Sequence, residues 1–247
     1  MERERSEDSQ LTEAEIEQLL KHGEIKGGAL APWGSNYTYF VQVSLGSLKH
    51  RAVYKPRIGE APLIDFPDGT LYLREYASYI TNRWLGWNLI PQTVIRTGPK
   101  GIGTLQIYVE PETEPHIYSL RAEDIPQLQR LVLFDIIVNN ADRKPAHVFR
   151  GKNHNVWAID HGLTFHPRPK LRTVIWEFCG EPIPEDILNE LESKASDKSK
   201  VEELNEQLKE LLTPLEIEAF WHRVESVLKS RTYPVLDPRR NIPYGFM

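Results

Sequence analysis

The chain has 247 residues, 40% hydrophobic and 26% charged, which gives an ordinary globular core for one two-lobed domain or two small ones and excludes a disordered or fibrous protein. A formal net charge of -5 and a sequence pI near 5.9 leave no basic footprint for nucleic acid and no polybasic patch for an anionic bilayer. The single cysteine, Cys179, excludes a disulfide framework and a cysteine-based zinc site, no apolar run is long enough to span a bilayer, and Met1-Glu2-Arg3-Glu4-Arg5 does not read as a signal peptide, so the expected setting is a reducing cytoplasm.

A charged tail to about Gln10 is followed by a short helix ending at His22-Gly23, with Thr12 and Glu15 as a capping box and Leu11, Ile16, Leu19 and Leu20 as its apolar stripe. The periodicity then changes to that of strands, over 25–30, 37–45 and 51–55. The turn at 31–36 is either a plain hairpin connection or an anion-binding nest in which Ser35, Asn36 and backbone N–H groups face phosphates. Lys55 closes the third strand, because Pro56 cannot continue the ladder.

Beyond a Pro/Gly/Asp loop, residues 71–87 carry apolar positions at Leu73, Tyr76, Ala77, Ile80, Trp84 and Trp87, the stripe of a helix. Glu75 lies at the edge of that stripe, where it either meets Lys55 or stays solvated beside Arg74 and Arg83. Strands over 90–96 and 101–109, joined by Thr97-Gly98-Pro99-Lys100, complete a five-stranded sheet, and the Pro/Glu-rich 111–116 reads as a linker.

Residues 123–139 form a helix that is apolar nearly all round and therefore buried. Asp135 inside it needs hydrogen-bond partners, and we read it as support for the loop that follows. That loop carries Asn139-Asn140-Ala141-Asp142-Arg143, and a second apolar run, Val156-Trp157-Ala158-Ile159, delivers Asp160 and Gly162. Two carboxylates mounted at the ends of apolar elements suit phosphoryl transfer, one orienting a nucleophile and one holding a metal. The alternative is a pair of ordinary turns. In 163–184 the cations His166, Arg168, Lys170 and Arg172 face either solvent or an acidic substrate or the transferred phosphate, and helices over 185–191, 200–212 and 214–228 with a proline-rich tail from 233 complete the fold.

The pattern Asp135-x4-Asn140-x-Asp142-Arg143, followed by an apolar strand and Ile159-Asp160-His161-Gly162, resembles the catalytic and metal-binding loops of the phosphatidylinositol 3-/4-kinase-like branch of the protein-kinase fold, which includes the HipA-type serine kinases. The stretch Ala158-Ile159-Asp160-His161-Gly162-Leu163-Thr164-Phe165 is especially similar to the metal loop of type II phosphatidylinositol 4-kinases, and residues 24–230 resemble a bacterial family related to them.

The resemblance implies an α+β, two-lobed, protein-kinase-like fold: a tail and short helix over 1–23, an antiparallel-sheet N-lobe over 24–112, and a mainly helical C-lobe over 113–247. It implies transfer of the γ-phosphoryl group of ATP, with Mg2+ or Mn2+, to a hydroxyl acceptor whose identity it does not fix. Asp142 and Arg143 would be catalytic, and Asp160 and His147 would hold metal. Lys55, Glu75, Ser35, Asn36, Gln106 and Val109 would bind the nucleotide, Val109 at the hinge and Gln106 behind the adenine. Two departures matter: His147 stands where kinases place a metal-binding Asn, and the 31–36 turn is not glycine-rich. The second metal site is therefore modified or missing, and a silent nucleotide-binding regulator or an AMP transferase stays open beside the kinase.

Overall fold

The protein is described by a computed structural model that covers residues 11–31 and 36–244. Ser35 and the charged tail lie outside the described residues. The chain divides into two compact units, one running to Tyr76 and resuming at Pro91–Val109, the other made of Ala77–Ile90 and everything described from Glu110 onward.

The first unit opens on α1 (Glu13–His22), where the Thr12 hydroxyl accepts from the Glu15 N–H and the Glu15 carboxylate accepts from the Thr12 N–H at 2.9 Å. That reciprocal cap satisfies donors which the helix itself leaves without partners. Strands β1 (Glu24–Leu30), β2 (Tyr39–Leu45), β3 (Leu48–Pro56), β4 (Thr93–Gly98) and β5 (Gly101–Ile107) form one antiparallel sheet in the order β1-β2-β3-β5-β4. Leu19 and Leu20 of α1 pack with Val41, Val43, Ala52, Tyr54, Val94, Leu105 and Ile107. Since side chains alternate along a strand, burying Ala52 and Tyr54 turns Val53 and Lys55 to the opposite face of β3.

The close pairing of β3 and β5 depends on Gly103, where an added Cβ would lie 2.2 Å from the Lys55 carbonyl oxygen and 2.6 Å from Pro56 Cα. A side chain there would push apart the rung that carries Lys55. The fourth strand begins at Thr93, later than the periodicity predicts. The N–H groups of Leu89 and Ile90 go instead to the Asn82 side-chain oxygen at 2.9 and 3.3 Å, and Pro91 has no N–H for a ladder.

Helix α2 (Leu71–Leu85) starts under the Glu60 carboxylate, which accepts from the N–H groups of Leu71 and Tyr72 at 3.0 and 2.8 Å. It stops short of the expected Trp87 because Gly86 adopts a φ of 77° and ends the helical register.

In the second unit, α3 (Ile125–Ile137) buries Leu128, Leu131, Leu133, Phe134, Asp135 and Ile137. A hairpin of β6 (Val148–Arg150) and β7 (Val156–Ala158) brings Val148, Val156 and Ala158 into a core with Leu89, Leu128, Leu131 and Ile175. Helices α4 (Glu185–Ser196), α5 (Lys198–Lys209) and α6 (Pro214–Ser230) follow, α6 with a Thr213–Glu216 capping box and a left-handed Arg231 as its C-cap. Segment 163–184 has no regular helix or strand and is held by backbone bonds to its neighbours. Among the described residues, no helix is long and apolar enough to cross a membrane.

Candidate active site

The first unit holds the ion pair of Lys55 and Glu75. Lys55 Nζ donates to both carboxylate oxygens of Glu75, at 2.8 and 2.9 Å, with Glu75 only 4% exposed and Lys55 21% exposed. Strand alternation aims the lysine away from the Tyr54 side of the sheet, and the Glu60 cap fixes the first turn of α2, one turn before Glu75. The remaining predicted nucleotide contacts are placed as follows. Asn36 Oδ1 accepts from the Ala61 N–H at 2.7 Å, bracing the loop before α2. Gln106 lies buried on β5 opposite Val53 and donates from Nε2 to Thr93 Oγ1 at 2.9 Å. Val109 is half-buried against the sheet core.

The second unit carries the carboxylates. Where α3 ends, Asn139 takes a φ of 55° and its amide spans the following loop, donating to the carbonyls of His166 and Arg168 at 2.7 and 2.8 Å and accepting from the Lys170 N–H at 2.9 Å. Asn140 donates to Asp135 Oδ1 at 2.9 Å and accepts the Asp142 N–H at 3.0 Å. Backbone bonds from Ala141 to Leu163 and from Ile159 to His147 tie this loop to the one that carries Asp160.

Arg143 is fully buried. Its Nε and Nη2 grip the two Asp135 oxygens at 2.7 and 2.9 Å. Nη1 donates to the Ile159 carbonyl at 3.0 Å and the His147 carbonyl at 3.3 Å, and Nη2 also lies 2.7 Å from His161 Nε2. A guanidinium has five N–H donors, and all five are engaged inside the protein. The guanidinium of Arg143, expected beside Asp142 as catalytic, is thus bonded to Asp135 and to carbonyls of both loops. Because an arginine only donates, His161 Nε2 accepts and its Nδ1 carries the proton.

Asp142 forms an ion pair with Lys144 at 2.8 Å. Burial pushes its carboxyl above the ordinary value and nearby Asp160 adds to the rise, while the bond to Lys144, and Arg143 behind it, oppose it. His147 joins the two carboxylate loops. Its Nδ1 lies 3.1 Å from the Asp142 carbonyl oxygen and its Nε2 lies 3.3 Å from Asp160 Oδ2. A carbonyl accepts only, so Nδ1 carries a proton; Nε2 then faces a carboxylate oxygen either with a second proton or with a lone pair that calls for a cation between them. Asp160 holds a φ of 62°, a sparsely populated conformation of the kind that collects at functional sites.

The described residues contain no cluster of three or more His, Cys, Asp or Glu arranged to hold a metal. A site with one carboxylate and one imidazole fits a divalent ion that takes its other ligands from phosphates and water, as Mg2+ commonly does, and the imidazole adds an affinity for softer ions. Asp160 and His147 are the residues that would hold it.

Sequence reasoning passed over Lys144, His161 and the polar face of α2. Ser78 and Thr164 hydroxyls are 3.0 Å apart, and since Thr164 donates to the His161 carbonyl at 2.8 Å, Ser78 is the donor between them. The signal was present: Ser78, Thr81 and Asn82 fall at helical spacing on α2, and all three are fully buried.

The antiparallel sheet with one helix before and one after its third strand, and the helical second unit with two carboxylate loops, make this a kinase-like fold. The solved structure of the proinflammatory kinase CtkA of Helicobacter pylori is similar to it with a TM-score of 0.54, over 85% of this chain and 93% of that one, at 10% sequence identity. No family model matches the chain, and the phosphatidylinositol 3-/4-kinase-like class is finer than this likeness carries. In sequence, the chain is 35% identical, over an alignment 265 positions long, to Protein Rv2133c of Mycobacterium tuberculosis, covering 91% of this chain and 94% of that protein. It belongs to the family of Rv2133c.

Proposed function

We propose that the protein is an ATP-dependent phosphotransferase of the phosphatidylinositol 3-/4-kinase-like class, acting in the cytoplasm on a hydroxyl acceptor. The observation that carries the reading is the imidazole of His147, with Nδ1 on the Asp142 carbonyl and Nε2 on the Asp160 carboxylate, which brings two sequence-distant acids to one ring. In the proposed reaction, Asp142 orients the acceptor hydroxyl and takes its proton as the oxygen bonds to the γ-phosphorus. The bond from that phosphorus to the β,γ-bridging oxygen breaks, and ADP leaves. A carboxyl with a raised proton affinity is a better base than a fully solvated one.

Lys55, oriented by Glu75, is assigned to the α- and β-phosphates, and Gln106, Val109, Asn36 and Ser35 to the remainder of the nucleotide. Asp160, with His147 beside it, is assigned to a divalent metal, which when bound neutralises charge on the phosphates. Arg143 keeps Asp142 and Asp160 in place without touching substrate.

The test is incubation with labelled ATP and Mg2+ or Mn2+ against a panel of small metabolites, lipids and proteins, with every product identified. ADP together with a labelled acceptor is the expected result. Pyrophosphate and an AMP-modified acceptor would establish the AMP transferase instead, and ATP binding with no turnover would establish a silent regulator.

A further inference from the structure

Residues 171–173 run beside the loop that carries Asp142. The Arg172 N–H donates to the Asn140 carbonyl at 2.9 Å, and the Arg143 N–H donates to the Arg172 carbonyl at 3.1 Å, so the two rungs flank Asp142. In an extended segment the backbone groups of neighbouring residues point to opposite edges. Leu171 and Thr173 accordingly face the other way, and both meet Asn241. The Asn241 carbonyl accepts the Thr173 N–H at 2.9 Å, and Asn241 Nδ2 donates to the Leu171 carbonyl at 2.6 Å. A single side chain and its own backbone thus imitate the rung of an adjoining strand.

Asn241 is itself fixed. Its N–H donates to the Asp237 carbonyl and its Oδ1 accepts the Asp237 N–H, both at 2.9 Å. On either side the same segment is tied down: Leu236 N–H lies 3.1 Å from Cys179 Sγ, and the Arg172 guanidinium stacks 4.3 Å over the Tyr244 ring while donating to its hydroxyl at 3.0 Å.

We propose that Asn241 is a positioning residue for the transfer reaction: it clamps 171–173 against the Asp142 loop, and the clamp sets the backbone from which Asp142 acts. The effect on turnover rests on the phosphotransferase reading; the clamp itself does not.

The experiment compares the whole protein, Asn241→Ala and Asn241→Asp by amide hydrogen exchange and by steady-state kinetics, with Arg240→Ala, an exposed neighbour, as the control. Asn241→Asp keeps the size of the side chain while replacing the donor to Leu171 with an acceptor. Should Asn241→Ala not fold, Asn241→Ser, whose hydroxyl is too short to reach Leu171, carries the same comparison.

Exchange in peptides covering 140–147 and 170–174 is expected to quicken about fivefold or more in the Asn241 variants, as local opening becomes easier. Turnover should fall about tenfold, with KM for ATP held within about twofold, because a displaced base harms the chemical step and spares nucleotide binding. Unchanged exchange at 140–147 overturns the proposal. So does quickened exchange with unchanged kcat, which would make Asn241 a cover and no more. If the unaltered protein transfers no phosphoryl group to any acceptor, the phosphotransferase reading fails by itself and exchange at 140–147 alone decides whether the clamp exists.

Discussion

Lys55 and Arg143 are both cations that grip the two oxygens of a carboxylate, yet they sit in opposite circumstances. Lys55 stands on a regular strand and its partner Glu75 on a regular helix, and the lysine keeps 21% of its surface exposed. Arg143 stands on a loop and is fully buried, and besides Asp135 it holds two carbonyls and an imidazole. On β3 the ladder to β5 already fixes the backbone, so the ion pair has only a side chain to orient. The loops of Asp142 and Asp160 have few rungs of their own, and a buried guanidinium supplies the bonds that a ladder would supply.

Substituting each cation with methionine breaks the comparison most severely. Arg143→Met leaves Asp135 charged and buried without its partner, and should cost about 3–5 kcal/mol of unfolding free energy, the scale for breaking a buried pair. Lys55→Met should cost less, about 1–3 kcal/mol: two bonds to the buried Glu75 carboxylate are lost, but the lysine side of the pair is open to water, which can take the ammonium's place. Denaturant titration measures both, and equal losses would show that Arg143 is no more of a hub than Lys55. The double variant Asp135→Leu/Arg143→Met should recover the part of the loss that comes from a buried unpaired charge, and not the part that comes from the carbonyls and imidazole left without the Arg143 donors.

Asp142→Asn comes next, with activity as the readout. Turnover should drop about 100-fold or more, the usual scale for removing a general base, while ATP affinity measured by calorimetry stays close to that of the unaltered protein. Its stability should move the other way. Burial and Asp160 raise the folded carboxyl above its unfolded value, so the ionised acid destabilises the folded state at neutral pH and asparagine removes that penalty. The gain should be present at pH 7 and shrink as the pH falls through the raised folded value toward the unfolded one. A neutral-pH stability loss together with normal turnover would remove Asp142 from the site.

The parts of this site that sequence reveals are those with a local rule behind them. Pro56 marks the end of β3 and so singles out Lys55, the buried character of α3 demands partners for Asp135, and the Thr12 and Thr213 caps announce their helices. Glu75 at the edge of a stripe leaves its partner undecided until α2 is placed. Arg143 shows the limit: an Asp-Arg pair after two asparagines looks like a surface turn. Its burial follows from Asp135 on the preceding helix and from the Ile159 carbonyl just past the end of β7, neither of which has any periodic relation to it. The clamp at Asn241 is illegible for the same reason, since two of its four bonds join backbone to backbone and the other two tie its amide to backbone, all in segments without regular structure.

A milder variant sharpens the claim that position along β3 gives Lys55 its importance. Lys49 lies on the same strand and, by alternation, on the same face, exposed and paired across from Ser44 on β2. Lys55→Met should lower kcat/KM by about tenfold or more through lost electrostatic support of the phosphates, and Lys49→Met by less than about twofold. Parallel rate measurements settle it, and indistinguishable variants would dissociate Lys55 from nucleotide handling.

The smallest expected effect concerns Lys144, which the second unit places against the acid that is to act as base. Its ammonium lies 2.8 Å from Asp142 Oδ2 and opposes the rise that burial and Asp160 impose on that carboxyl. Lys144→Met removes the opposing charge, so the Asp142 carboxyl should rise further. Because the base must be deprotonated, the acid limb of the rate profile should then move to higher pH. Well above that limb Asp142 is ionised in both proteins, and the rates there should agree within about fivefold, since an ion pair with a half-exposed lysine is worth about 0.2–1 kcal/mol. Profiles of kcat/KM against pH for the two proteins read this directly. A limb that shifts toward acid, or one that stays in place while the plateau collapses, would mean that Lys144 acts on the transferred phosphate and not through Asp142. The sign of the shift distinguishes a base tuned by its neighbour from a substrate contact, and Lys55 on its ladder offers no equivalent test, since its partner Glu75 takes no proton in the proposed reaction.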